Sequence, residues 1–165
     1  MYDIPRDLLR PQEFTCEERD MFYSEVLIPQ LLPKTSYLTK DPNEAHFFLV
    51  PQHIACCFHH CLFKQRRQSE DCSAETVVYM TNILRYIQNE YPYWNLTKGT
   101  DHVFVFCWGR GMGVMGPHVP LKEELRNAIH LTTYGRVNFF FFVVVVDVFL
   151  VFLVFLGSFF LFLLS

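Results

Sequence analysis

The sequence predicts an α/β fold: a Rossmann-like parallel sheet with helices on both faces. Three apolar runs, at residues 46–51, 103–106 and 129–133, are typical of strands covered on both sides. Between them lie longer segments, several with apolar residues at helical spacing. Strands that alternate with helices favour a parallel sheet, because each return to the same edge needs a connection long enough to hold a helix.

The first long helix is predicted over residues 12–32. Its apolar residues follow a helical stripe, and its early turns are acidic, which suits the positive end of the helix dipole. Pro29 and Pro33 are expected to mark its end. The strand that follows should stop at Pro51, since proline cannot donate a hydrogen bond to a sheet.

The second helix is predicted from Ser73, a plausible N-cap, as far as Tyr91. Pro92 cannot continue it, because proline lacks an N–H and its ring clashes with the preceding turn. Residues 95–99 are then predicted to form a loop. This loop leads into the strand at residues 103–106.

A glycine-rich run, residues 107–113, follows that strand, at the end where α/β proteins bind ligands. A phosphate-binding loop would have to open directly into a helix. Here Pro117 and Pro120 come first, and a short helix is predicted only over residues 122–128. A structural turn is therefore favoured over a dinucleotide site.

Three segments match a known family in order and spacing. They are Tyr2-Asp3-Ile4-Pro5, residues 37–51 with Asp-Pro followed by Phe-Phe-Leu-Val-Pro, and residues 91–106 with Pro-Tyr-Trp-Asn followed by Asp-His. Together they resemble the exostosin-like glycosyltransferase family over residues 1 to about 136. Residues 96–99 depart from it, since Leu-Thr-Lys-Gly stands where the family usually has Arg-Ser-Gly-Gly or similar.

The resemblance implies the amino-terminal lobe of a GT-B glycosyltransferase, which moves a sugar from a nucleotide-sugar to a glycan acceptor. In such enzymes the other lobe mainly holds the donor. We therefore expect no cofactor site in this chain, a nucleotide-sugar donor for the complete enzyme, and an incomplete, inactive fragment here. The resemblance also implies a chain that starts within the first strand without its amino-terminal anchor, and a lumenal domain at the Golgi membrane.

Asp101 and His102 are the candidate catalytic pair, because inverting sugar transfer needs a base for the proton of the acceptor hydroxyl. The alternative is that Asp101 caps the loop and His102 is a hydrogen-bonded core residue. The resemblance further implies an acceptor-side loop, formed by His53 with Trp108, Gly109, Arg110 and Gly111. The aspartate that many family members have near this loop is missing, which argues against an acid or base role there.

Residues 56–61 place three cysteines and two histidines close together, which invites a zinc site. No second pair of ligands follows further along the chain, so we predict no metal site. A disulfide that joins Cys57 or Cys61 to Cys72 is favoured, with free thiols or a small zinc domain as alternatives. Asn95-Leu96-Thr97 is a candidate N-glycosylation sequon, which matters only in a lumenal domain.

Residues 137–165 form a hydrophobic tail after the predicted lobe at residues 1–136. The tail holds ten of the 18 Phe residues and a single charge, Asp147. It is long enough for a transmembrane helix, but its composition favours mistranslated non-coding sequence, because Phe, Val and Leu codons share a central T. If the tail is real, the alternative function is a membrane-tethered, non-catalytic binding module. The net charge of −3 predicts no nucleic-acid partner.

Overall fold

The computed structural model describes residues 1–10, 22–107 and 111–132. The chain divides into two compact units, Met1–Gly135 and Arg136–Ser165. The second unit, which contains the hydrophobic tail discussed above, lies outside the described residues. Within the described part of the chain, no helix is both long and apolar enough to cross a membrane.

Three strands form one parallel sheet, in the order β1 (Phe48–Leu49), β2 (His102–Phe106) and β3 (Ile129–Thr132). The register places Phe48 opposite His102, and Val103 opposite Ile129. The predicted α/β class with a parallel sheet is confirmed. β1 is shorter than its predicted run at residues 46–51, whereas β2 begins one residue before its predicted run, at His102.

Six α-helices surround this sheet in the described residues: α1 (Arg6–Leu9), α2 (Ser24–Leu31), α3 (Ile54–His59), α4 (Ser69–Glu90), α5 (Tyr93–Thr97) and α6 (Val119–Glu124). A π-helical turn, His60–Lys64, continues α3. Two 3-10 turns, Leu32–Lys34 and Gly111–Met115, follow α2 and precede α6.

Helical residues contact both faces of the sheet, because successive side chains of a strand point in opposite directions. Phe104 and Phe106 belong to the main core, together with side chains of α3, α4 and α6. Val105 belongs to a smaller cluster on the other face, against which Ile28 of α2 and Leu32 pack. The main core contains more buried apolar residues than the smaller cluster, and burial of apolar surface is the dominant stabilising contribution to folding.

Residues 2–5, which the family resemblance implies to be part of the first strand, do not form a strand in the structure. The N–H of Tyr2 donates to the carbonyl of Leu49 at 3.1 Å, so the segment lies beside β1. Pro5 has no N–H to extend this pairing and is the N-cap of α1. The segment is thus an edge neighbour of the sheet with too little pairing to count as a strand.

The predicted ends of the first long helix were partly wrong. Pro29 lies inside α2, which continues to Leu31. A proline lacks the N–H of one helical hydrogen bond, but the N–H of Leu32 still donates to the carbonyl of Ile28 at the end of the helix. The predicted part at residues 12–21 lies outside the described residues.

The predicted start of the second helix was also wrong. α4 begins at Ser69, and Ser73 lies within it. Glu70 and Asp71 stand in the first turn, where acidic side chains suit the helix dipole. Cys72 is disulfide-bonded there, which ties this turn to the π-helical turn.

The predicted loop at residues 95–99 is mostly a short helix, α5, with Pro92 as its N-cap. A proline at a helix start loses nothing, since the first N–H groups have no partner within the helix. Trp94, which is 3% exposed, anchors this helix in the core. The predicted helix at residues 122–128 likewise begins earlier, at Val119, because the imidazole of His118 caps it by accepting the N–H of Leu121.

The turn after α5 depends on Gly99, which has a φ of +84°. A Cβ at this position would lie 2.7 Å from Cη2 of Trp94. The indole cannot withdraw easily, because its ring packs edge-on against His102 and Phe104, with centroid distances of 4.8 and 6.1 Å. Glycine is therefore required here both by the backbone conformation and by the close indole.

We expect Gly99→Ala to lower the free energy of unfolding by about 2–4 kcal/mol, from the left-handed backbone and the overpacked indole together. Urea denaturation followed by tryptophan fluorescence measures it. Gly111→Ala is the matched control, since Gly111 also has a positive φ but a Cβ there would meet only Thr132 Cγ2, at 3.5 Å. Equal losses in both variants would show that Trp94 does not set the requirement.

Candidate functional site

A hollow of about 340 Å³ opens where β1 ends and the chain turns into α3. We call it the β1 hollow. Its walls come from the amino-terminal segment, α1, α2 and the turn at residues 51–53. The carboxyl ends of parallel strands are where open α/β sheets bind ligands, so this is the candidate site.

Of the predicted site residues that the structure describes, His53 lines the β1 hollow. Its backbone N–H donates to the hydroxyl of Tyr79 at 2.7 Å, and that hydroxyl donates to the carbonyl of Leu9 at 3.1 Å. Burial lowers the pKa of His53 to about 4, and the nearby charge of Arg10 adds to this, while a hydrogen bond to the Leu9 backbone opposes it. The imidazole is therefore neutral at physiological pH and can offer polar contacts to a ligand.

The structure places Asp101 and His102 elsewhere, at the start of β2. His102 is fully buried, with Nε2 2.6 Å from the Tyr2 hydroxyl and Nδ1 2.6 Å from Oδ1 of Asp101. The same carboxylate oxygen accepts the hydroxyl of Thr97 at 2.6 Å. Burial lowers the pKa of His102, although its hydrogen bond to the Asp101 carboxylate and the charge of that carboxylate oppose the shift.

Aromatic rings complete the surroundings of His102. Its imidazole stacks on Phe48 and Tyr2, with centroid distances of 5.2 and 5.6 Å, and meets the edge of Trp94. This geometry is that of a hydrogen-bonded core residue, the alternative that the sequence left open. A catalytic role for the pair stays a prediction that the fully buried imidazole does not favour.

A residue that sequence reasoning missed, Glu25, is the most buried carboxyl group near the candidate site, at 1% exposed. Its Oε2 accepts the N–H of Ala55 at 2.9 Å, and its Oε1 accepts the N–H of Cys107 at 3.3 Å. Burial raises its pKa to about 8, despite these backbone hydrogen bonds, which lower it. Because Ala55 follows β1 and Cys107 follows β2, Glu25 joins both strand ends to α2.

The sequence did contain a signal for Glu25. It lies three residues after Phe22 and next to Val26, both of which belong to the apolar stripe of the predicted helix. An acidic residue on an apolar stripe is expected to be buried with partners. Arg6 and Arg10, which line the β1 hollow, were also missed. No pattern of residues marked them, since their position depends on how α1 packs.

The five described cysteines comprise the Cys61–Cys72 disulfide, one further disulfide-bonded residue and two thiols. Cys61 and Cys72 are bonded, with 5.5 Å between their Cα atoms, which is one of the two pairings considered from the sequence. Cys57 and Cys107 are buried thiols, and burial raises the pKa of each to about 12. Cys56 is also disulfide-bonded. Among the described residues, no group of three or more possible ligands could hold a metal ion.

Two further predicted features lie apart from the β1 hollow. Asn95 is exposed on α5, and its side-chain amide donates to the carbonyl of Gln88 at 3.0 Å. Of the predicted acceptor-side loop, Trp108, Gly109 and Arg110 lie outside the described residues. Gly111 is buried at the start of a 3-10 turn.

Comparison with known proteins identifies the family. Residues 1–143 match the exostosin GT47 domain. The chain belongs to the exostosin GT47 family. This confirms the family resemblance of the three sequence segments, and a parallel α/β sheet agrees with it. No solved structure matches the chain.

The curated relatives are longer plant proteins. Two from Arabidopsis thaliana, each described as a probable glucuronoxylan glucuronosyltransferase, are 26% and 28% identical over 143 and 148 residues, which is 82% of this chain in both cases. A probable glucuronosyltransferase of Oryza sativa subsp. japonica is 29% identical over 126 residues, or 72% of this chain. The chain spans only 29%, 31% and 28% of the lengths of these three exostosin GT47 relatives.

The buried carboxyl group of Glu25 should make stability depend on pH. Its folded pKa of about 8 is above its ordinary value of 4.5, so its contribution is fully present below pH 4.5 and is lost as the pH rises through 8. Between these limits we expect the free energy of unfolding to fall by up to about 1.4 kcal/mol per pH unit from this group. Glu25→Gln should flatten that slope in urea titrations at several pH values.

The matched control for this change is Glu90→Gln, which removes an exposed carboxylate at the end of α4. Its slope should follow that of the parent chain. The slope is compared rather than the stability at one pH, because a glutamine amide cannot accept both backbone N–H groups. A slope that survives in Glu25→Gln would assign the pH dependence to another group.

Tyr2→Phe should cost about 1–3 kcal/mol of stability, because it leaves Nε2 of the buried His102 without its partner at unchanged ring size. Tyr86→Phe removes a hydroxyl whose bond to the Asp3 carbonyl is exposed, and should cost less than about 0.5 kcal/mol. Thermal and urea unfolding of the two variants test this. Similar small losses would mean that the Tyr2 hydroxyl does not support His102.

Proposed function

We propose that this chain is the acceptor-side, amino-terminal lobe of a GT-B glucuronosyltransferase, and that the β1 hollow binds a glycan acceptor of the xylan type. The hollow at the end of β1 carries the proposal. Membership of the exostosin GT47 family supplies the reaction class. The described substrate of two relatives, glucuronoxylan, supplies the acceptor class.

The walls of the β1 hollow suit a sugar. Leu9, Val26 and Pro29 offer apolar surface on which the C–H face of a sugar ring can lie. The amide of Gln30 and the neutral imidazole of His53 can exchange hydrogen bonds with sugar hydroxyls. A mostly apolar concave site with a few polar groups is typical of small-ligand sites.

The donor is expected to bind outside this lobe. A nucleotide-sugar diphosphate needs free backbone N–H groups, as at a helix N-terminus or a glycine-rich loop. At the carboxyl edge of this sheet the N–H groups of Ala55 and Cys107 already donate to Glu25. In the complete enzyme, an acceptor hydroxyl would attack the anomeric carbon of the donor, the nucleoside diphosphate would leave, and a base would take the hydroxyl proton. We do not propose Asp101 or His102 as this base.

We also propose that the lobe works in the Golgi lumen. The Cys61–Cys72 disulfide supports an oxidising compartment, because cytosolic thiols are kept reduced. The exposed sequon at Asn95 agrees with passage through the secretory pathway. Loss of mass on enzymatic removal of N-glycans from secreted protein, absent in Asn95→Gln, would test this.

The purified 165-residue chain should bind xylohexaose but should not transfer glucuronate to it from UDP-glucuronate. Calorimetry measures the binding, and mass spectrometry of the oligosaccharide measures the transfer. Gln30→Trp should weaken binding at least about tenfold, because an indole at the rim would fill the β1 hollow. Gln65→Trp, also exposed but away from the hollow, is the control. Transfer by the chain alone would overturn the proposal that the donor binds outside this lobe. Absence of binding would overturn the proposed acceptor site.

A further inference from the structure

Positive side chains outnumber negative ones among the described residues that line the β1 hollow, whereas the net charge of the whole chain is negative. The chain has a net charge of −3, yet among the described residues the charged side chains that line the hollow are Arg6, Arg10 and Asp3. His53 adds no charge, because its pKa is lowered to about 4. The hollow therefore has a local excess of positive charge.

Neither arginine has an anionic partner among residues 1–10, 22–107 and 111–132. The Lys and Arg ion pairs among the described residues are Arg67–Glu75 and Arg126–Glu123, both elsewhere. Arg6 is exposed and Arg10 is half-buried at the hollow. A guanidinium has five N–H donors in a planar fork that matches a carboxylate, and these forks are available to a ligand.

The backbone at α1 sets the spacing of the two arginines, which carry like charge. The N–H of Arg10 donates to the carbonyl of Arg6 at 2.8 Å, so the two stand one helical turn apart, where like charges repel. The buried residue Tyr79 fixes this turn, because its hydroxyl donates a hydrogen bond to the carbonyl of Leu9 at 3.1 Å. A bound anion would reduce the electrostatic repulsion between Arg6 and Arg10 on this turn.

We propose that Arg6 and Arg10 form an anion subsite that binds the carboxylate of an acidic sugar on the acceptor, such as a glucuronate that the acceptor glycan already carries. This proposal rests on the proposed function. A carboxylate fits better than a diphosphate, because the backbone N–H groups that would cradle a phosphate at this edge are held by Glu25. Acceptors that already carry acidic residues would then be preferred over neutral ones.

The test compares three ligands on the purified full chain by calorimetry: a glucuronate-bearing xylo-oligosaccharide, the neutral oligosaccharide of equal length, and UDP. The acidic ligand should bind about fivefold tighter than the neutral one at low salt, as expected for exposed charge pairs. The advantage should shrink as salt rises. Arg6→Gln with Arg10→Gln should abolish the advantage, so that the acidic and the neutral ligand bind with equal affinity to this variant.

Arg85→Gln is the control, since Arg85 is exposed on α4 and does not line the hollow. Equal binding of acidic and neutral ligands would overturn the subsite and leave the proposed acceptor function in place. UDP binding that depends on the two arginines, without preference for the acidic oligosaccharide, would also overturn it. If no oligosaccharide binds, the proposed acceptor function itself fails, and the subsite with it.

Discussion

The arrangement around the candidate site depends on one buried carboxyl group. Glu25 accepts the backbone N–H groups of Ala55 and Cys107, which follow β1 and β2. It thereby holds α2 against the carboxyl edge of the sheet, and α2 supplies one wall of the β1 hollow. Removing an ionisable group from water is costly, so such a residue persists only where hydrogen bonds compensate it.

The same carboxyl group limits what this edge can bind. Backbone N–H groups at the ends of parallel strands are the usual phosphate ligands of α/β proteins. Here two of them are occupied from within the fold, so the edge offers side chains and apolar surface in place of a phosphate cradle. This favours a sugar over a nucleotide in the β1 hollow, in agreement with an acceptor-side lobe of an exostosin GT47 protein.

A second buried network lies at the start of β2 and keeps the amino-terminal segment in place. His102 bonds Tyr2 and Asp101, and the rings of Phe48 and Trp94 enclose it. Buried polar groups that are fully satisfied tend to specify one packing arrangement. Since Tyr2 also lines the β1 hollow, the core network and the candidate site share a residue.

The family and the fold class could be predicted because both depend on local patterns. The apolar runs around Phe48 and Phe104, and the helical stripe that contains Met80 and Leu84, report burial directly. Helix ends were predicted less well, because capping residues and prolines are local sequence signals. Tertiary packing decides at which of these residues a helix begins or ends. Ser73 could cap a helix, but the turn around Cys72 starts earlier.

The sequence by itself determined that this chain is a parallel α/β lobe of exostosin type, with buried strands. Only the tertiary structure decided that His102 is enclosed in the core, that Cys61 rather than Cys57 bonds Cys72, and that Arg10 meets His53 at one hollow. The physical reason is separation along the chain. Contacts between residues tens of positions apart depend on how several elements pack together, and no local pattern encodes that packing.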